Sequence, residues 1–180
     1  MSGKWLELLR EIAPQVKRVR FMVHPETAAS IGFFKFVEAV APTLTIKPVV
    51  LGVHDPDEIE RILAAFAAEG NSGLIVTPHA VTFVNRDLIV ALAARLRLPA
   101  LYPYAFYARA GGLISYGYDV LNQFQQGAGY VDRILRGAKP ADLPVQYPTK
   151  FELIINLKTA KALGIEVPTS MQLLADDIIE

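Results

Sequence analysis

The apolar positions of this chain alternate between two spacings. Trp5, Leu8, Leu9 and Ile12 share one face of an opening helix, and residues 19–23 form a short run of apolar and β-branched side chains that stops at His24-Pro25. From about 27 to 40 the positions Ile31, Phe34, Val37 and Val40 return to helical spacing, and Ala41-Pro42 ends that helix before a strand over roughly 45–53. The unit then repeats. Asp55 is placed to cap, and Pro56 to start, a helix that carries Ile59, Ile62, Leu63 and Phe66 to a stop at Gly70, and residues 73–77 form a fully apolar strand. A third helix is predicted from about 85 to 96, followed by two strands, 99–102 and 113–116, separated by a short aromatic turn.

Strands alternating with helices of about 10–15 residues predict an α/β fold, a parallel sheet flanked by helices on both faces. Between 119 and 136, Val120, Leu121, Phe124, Val131, Ile134 and Leu135 fall on one helical face, and Gly127 and Gly129 would let another backbone come close. Past Gly137 a proline-rich traverse leads to FELIINL, which alternates like a strand, while KTAKALG and the acidic last turn read as short helices. One core suffices for a chain of this size, organised as an α/β lobe over 1–118 and a crossover helix and tail over 119–180.

Composition narrows the partners. The 18 basic and 18 acidic residues cancel, with no basic run, so nucleic acid and an anionic membrane surface are not expected. There is no cysteine, which excludes disulfides, thiol nucleophiles and thiolate metal sites. No run of about 18 apolar residues is present to span a bilayer, and the N-terminal segment has a helical pattern in place of a signal peptide's apolar core. The chain is 52% hydrophobic, with a mean hydropathy of +0.30, so some apolar surface is expected to be covered by another body.

In a parallel α/β sheet ligands bind outside the carboxyl ends of the strands. Those ends carry His24, Pro25, Glu26 and Thr27; His54 and Asp55; Thr77, Pro78 and His79; Tyr102 and Tyr104; and Tyr116, Gly117, Tyr118 and Asp119. Residues 101–119 hold five of the seven tyrosines. Tyr102, Tyr104, Tyr116 and Tyr118 share one strand parity, which suits a ligand-stacking wall and a packed core alike. Asp119 is placed to accept a ligand amine or hydroxyl, or to cap the helix that starts at Val120, and Glu26 and Thr27 divide in the same way. The three histidines close three successive strands, so a three-histidine metal site is weighed; neighbouring strands hold the positions several ångströms apart, and no metal ligand is assigned. No phosphate-cradling glycine loop, serine elbow, paired metal-ligand motif or dinucleotide fingerprint occurs. Binding is therefore favoured over turnover, with no catalytic residue and no cofactor.

The run GLIVTPHAVTFVNRDLIVALAARLRLPALYPYAFYARAGGLISYGYD, followed by YVDRILRGAKPADLPVQYPTKFELIINLKTAKALGIEVP, resembles the substrate-binding proteins of bacterial ABC transporters of the type associated with tryptophan or tyrosine uptake. WLELLREIAPQVKRVRFMVHPET resembles the start of the second half of such proteins, so the resemblance covers essentially the whole chain. It implies the C-terminal lobe, with a returning tail, of a periplasmic-binding-protein type I-like fold, and a non-enzymatic receptor for an amino acid or similar small molecule that serves an ABC permease. Family members carry a signal peptide and an N-terminal lobe ahead of the point matching Met1, so the resemblance also implies a periplasmic or exported protein. Residues 23–27, 77–80, 102–106 and 116–119 would line this lobe's half of the cleft, which adds Phe106 to the strand-end residues. The family more often shows Asn where His24 stands and a smaller or acidic residue at His79. Without a first lobe the helix over 119–136 would lack cover, and a homodimer is expected, with exchange of the C-terminal segment as one route. The competing readings are a cytoplasmic ligand sensor and a small flavodoxin-like enzyme using Asp119, Glu26 and a histidine in acid–base work.

Overall fold

A computed structural model describes residues 2–180, without the side chains of Ser2, Ala29, Ser30, Ile31, Phe36 and Val40; the helical face assigned to Ile31 and Val40 thus lies partly outside the described residues. The strands with unbroken apolar runs lie at the middle of the sheet, where both faces are covered. Every residue of β3 (Ser72–Val76) and β4 (Ala100–Tyr102) is buried. β1 (Arg18–Val23) pairs in parallel with β2 (Lys47–Gly52) and with β3, and parallel pairing continues through β4 to β5 (Ile114–Tyr118). β6 (Phe151–Asn156) then runs antiparallel to β5, and β7 (Asp177–Ile179) runs parallel to β6, giving the order β2-β1-β3-β4-β5-β6-β7.

Period-two alternation divides the strand side chains between two cores: Phe21 of β1 faces one, and its neighbour Met22 the other. The first core is roofed by α1 (Ser2–Ile12), α2 (Ala28–Val40), α8 (Leu157–Leu163) and α9 (Thr169–Leu174). Trp5, Leu8, Leu9 and Ile12 of α1 are all buried there, and the Trp5 indole N–H donates to the Tyr116 carbonyl at 2.7 Å. The second core lies under α3 (Pro56–Ala67), α5 (Arg86–Arg95) and α6 (Ala105–Arg109), around Leu63, Phe66, Leu74, Val90, Tyr102 and Tyr107. The cap expected at Asp55 is made: its carboxylate accepts the Glu58 N–H at 2.8 Å ahead of Pro56.

The structure departs from the sequence expectations at five places. The aromatic turn is the helix α6, which sinks Tyr107 and Ala108 into the second core. The helix expected from 85 is preceded by α4 (Ala80–Val84), and the two are divided at Asn85, whose side-chain amide donates to the Val81 carbonyl. β6 is antiparallel, and the acidic end is the edge strand β7, because the free side of β6 offers hydrogen bonds to Asp177–Ile179. The tyrosine parity fails because Leu101 pairs with Ile114, an odd offset, so Tyr102 lies opposite Ser115 and faces the other core from Tyr116. Finally, α7 (Val120–Leu135) has no buried residue; Leu121 is 68% and Phe124 75% exposed, and nothing lies within 4 Å of a Cβ placed on Gly127 or Gly129. The tight packing expected of this helix is not made among the described residues. The segment from Phe151 onward does pack on its own lobe, where Leu153, Ile155, Ala160 and Met171 join the first core. Among the described residues no helix is long and apolar enough to cross a membrane.

Candidate functional site

β1, β2 and β3 end at Val23, Gly52 and Val76, and a histidine follows each end within three residues. Parallel register sets these ends side by side, Val23 opposite Gly52 and Met22 opposite Val76. The side chains close the gap that strand spacing leaves between the backbones: His24 stacks on His79 with ring centroids 4.3 Å apart and meets His54 edge-on at 5.5 Å. Each Nδ1 has a neighbour: Thr27 Oγ1 at 3.4 Å for His24, Glu58 Oε2 at 2.9 Å for His54, and the Val81 N–H at 3.1 Å for His79. Burial, and then the charge on His24, hold His79 below the usual imidazole range. The hydrogen bonds from His54, ring first and then backbone N–H, hold the Glu58 carboxyl below its ordinary value. Among the described residues no group of three His, Cys, Asp or Glu side chains is arranged to hold a metal ion.

The ends of β4 and β5 build an aromatic wall. Tyr104 follows β4, Phe106 lies in the first turn of α6, and Tyr118 ends β5. Tyr104 stacks on Phe106 at 5.3 Å and meets Tyr118 edge-on at 5.4 Å, with the two hydroxyls 2.9 Å apart. Phe83 of α4 meets Phe106 edge-on at 5.4 Å. These four rings, with Val120, Gln123 and Phe124 of α7 and Pro148, line an open groove of about 490 Å³. Such a surface suits a flat apolar group that also hydrogen-bonds a hydroxyl. Burial and the bond to Tyr118 raise the Tyr104 hydroxyl, so it stays neutral. α4 is anchored although it is short: Thr82 Oγ1 donates to the Thr77 and His79 carbonyls, and the Tyr107 hydroxyl, pushed up to about 12 mainly by burial, donates to the Thr82 carbonyl.

An adjoining groove of about 540 Å³ shares Phe106, Tyr118 and Phe124 and adds Arg109, Asp119, Lys150 and Glu152. Asp119 has both oxygens engaged, one accepting the Asn122 N–H at 3.0 Å as the cap of α7, the other accepting from Lys150 Nζ at 2.8 Å. Lys150 first, then the cap, hold its carboxyl below the usual range. The Asp119 N–H in turn donates to the Lys150 carbonyl at 3.0 Å, so the chain leaving the sheet and the chain returning to it are joined at this point.

The strand-end residues thus sort into groups. His24, Thr27, His79, Tyr104, Phe106 and Tyr118 are partly open at the carboxyl edge, with Pro25, Pro78 and the exposed Glu26 beside them. Thr77 and Tyr102 are corrected inward. Thr77 is fully buried and donates to the Met22 carbonyl at 2.7 Å, and Tyr102, 1% exposed, stacks on Tyr107 at 5.1 Å beneath the wall. Tyr116 is turned away, against Phe151 on the α1 side. Gly117 serves packing: a Cβ there would fall 1.8 Å from the Pro103 carbonyl oxygen. Thr27 holds the cap position of α2 without a side-chain cap bond. Phe83 and Lys150 were not identified from the sequence, because a ring on a helix of one turn and a lysine in a proline-rich traverse carry no periodic signal.

Residues 2–179 match the family described as ABC transporter substrate binding protein. The fold is shared with a conserved domain protein from Vibrio cholerae, at 24% identity and a TM-score of 0.88 over 98% of this chain and 60% of that one. It is shared also with an ABC domain in complex with L-Trp from Streptococcus pneumoniae, at 22% identity and a TM-score of 0.89 over 99% of this chain and 60% of that one. A ligand-free, open substrate-binding protein with adhesive properties from Clostridium difficile matches at 20% identity and a TM-score of 0.70 over 98% of this chain and 59% of that one. The chain therefore spans about 60% of the length of these structures. No curated protein sequence matches it. A mostly parallel sheet covered on both faces, an aromatic groove at its carboxyl edge and a match from end to end converge: the chain belongs to the ABC transporter substrate binding protein family and has a lobe of the periplasmic-binding-protein type I-like fold.

Proposed function

We propose that this chain is the C-terminal lobe of the solute receptor of a bacterial ABC importer, working outside the cytoplasmic membrane with a permease. Its ligand is a small molecule with a flat apolar group, an aromatic amino acid being the best fit. The observation that carries this reading is the groove of Phe83, Tyr104, Phe106 and Tyr118 at the carboxyl ends of β4 and β5. The pneumococcal relative with L-Trp supports the class. A relative from Agrobacterium vitis bound with α-D-tagatopyranose, at a TM-score of 0.62 over 86% of this chain and 55% of that one, makes sugars the competing ligands to test. The reading is of binding without turnover. A single lobe leaves one side of its ligand in water, so affinity should be weak beside that of a closed two-lobed receptor.

The test is a thermal-shift screen against amino acids, sugars and nucleosides, since a ligand that binds only the folded state raises Tm by mass action. A rise with tryptophan or tyrosine, abolished by Tyr118→Ala without loss of the unliganded Tm, is expected. A rise with sugars and none with aromatic amino acids overturns the reading.

A further inference from the structure

The three imidazoles at the ends of β1, β2 and β3 are not used by the aromatic groove, and their bonding defines what they can accept. The Val81 N–H donates into His79 Nδ1, which therefore carries a lone pair, so the neutral ring holds its proton on Nε2 and presents a donor there. His54 Nδ1 lies 2.9 Å from Glu58 Oε2 and must carry a proton to bond that carboxylate. Among the described residues none of the three Nε2 atoms has a hydrogen-bond partner. The cluster is also joined to the groove. α4 begins at His79 and carries Phe83 one turn on, with the Phe83 N–H donating to the His79 carbonyl at 2.9 Å.

We propose that His24, His54 and His79 form a subsite for an oxyanion of the carboxylate class, which binds together with a proton. This rests on the reading of the carboxyl edge as a small-molecule cleft. The stacked pair explains the coupling. With ring centroids 4.3 Å apart, a charge on either His24 or His79 opposes a charge on the other, and because the Val81 N–H occupies His79 Nδ1 the added proton goes to His24, whose charge an oxyanion bound at the free Nε2 atoms offsets. The charged groups around the cluster do not supply that anion. Glu58 of α3 is engaged by His54, with Arg61 3.9 Å from its other oxygen; Asp55 is the cap of α3; the exposed Glu26 lies in the loop after β1; and α4 adds no charged side chain of its own. Anion binding thus draws a proton onto His24, and affinity rises as pH falls through the imidazole range.

The chain has three histidines in all, so NMR of the ring nitrogens reads the whole cluster. The probes are benzoate, its uncharged counterpart benzyl alcohol, and acetate at matched ionic strength, at about pH 6 and about pH 8. Benzoate should shift the histidine signals, with affinity about tenfold higher for each unit fall in pH where one proton is taken up. Acetate should show the same pH slope at lower affinity, which separates a carboxylate carried on a ring from a free one. His24→Asn removes the ring that takes up the proton, and should keep the fold and erase the pH slope. A benzoate affinity independent of pH, a slope unchanged in His24→Asn, or no histidine shift overturns the subsite. If benzyl alcohol moves the tyrosine signals while benzoate leaves the histidines unmoved, the subsite fails and the cleft reading stands. If the histidines respond to benzoate while the tyrosines ignore both aromatic probes, the subsite stands and the cleft reading fails.

Discussion

His79 links the local chemistry of the carboxyl edge to the stability of the fold. Its pKa in the folded chain lies below the ordinary value of 6.5, chiefly through burial. The unfolded chain therefore takes up the proton first, and the stability contributed by the neutral ring is complete at neutral pH and is lost as pH falls below about 6.5 toward the folded value. Thermal melts should show Tm falling between about pH 7 and about pH 5, with a smaller fall in His79→Asn; an identical fall in both would mean that other groups govern the acid limb. At this scale the sequence was partly legible. Strand-end positions placed the histidines at one edge, yet their mutual stacking depends on side-chain reach, which spacing does not encode. The tyrosines were less legible, since one odd register offset between Leu101 and Ile114 sends Tyr102 and Tyr116 to opposite cores.

Elements longer than two turns were readable because their apolar faces repeat. α1 and α3 follow from Trp5, Leu8, Leu9 and Ile12 and from Ile59, Leu63 and Phe66, all of them buried. α4 and α6, five residues each, are too short to show a period, and strand direction, which sets β6 against β5, is not written in any single strand. α7 is the instructive exception: a clear amphipathic pattern with no buried residue, whose Val120 and Phe124 only border the aromatic groove. Gly127 sits on that face with nothing within 4 Å of a Cβ placed on it, so Gly127→Ala should stabilise the monomer by about 0.5–1 kcal/mol through helix propensity alone. Urea unfolding at low protein concentration measures this. A loss of stability would show that another body packs closely on the helix there.

For the molecule as a whole, the exposed apolar residues concentrate where the chain leaves the sheet. Leu121, Phe124, Val131 and Leu135 of α7 and Val145 and Tyr147 beyond it are all more than half exposed, whereas the tail from Phe151 buries Leu153, Ile155, Ala160 and Met171 in its own lobe and leaves Leu173 and Leu174 exposed. This arrangement leaves the apolar residues of α7 open to a second body. It places self-association, if the chain pairs with a second copy, on α7: sedimentation should show concentration-dependent association that Leu121→Ser with Phe124→Ser removes. Wild-type chain that stays monomeric at high micromolar concentration would end the homodimer expectation. The bond between Asp119 and Lys150 carries a further consequence. β5 and β6 are consecutive antiparallel partners, Tyr118 opposite Phe151, so in topological terms they are an ordinary hairpin whose turn has been replaced by a long detour pinned shut at its base. A detour closed at its base is separable from the sheet that bears it. Replacing residues 120–149 with a short Asn-Gly turn should leave a folded lobe with no loss of Tm, because each halving of a loop lowers its closure cost by about 0.6 kcal/mol, and the sheet, on this view, could gain or shed the whole excursion as a single cassette.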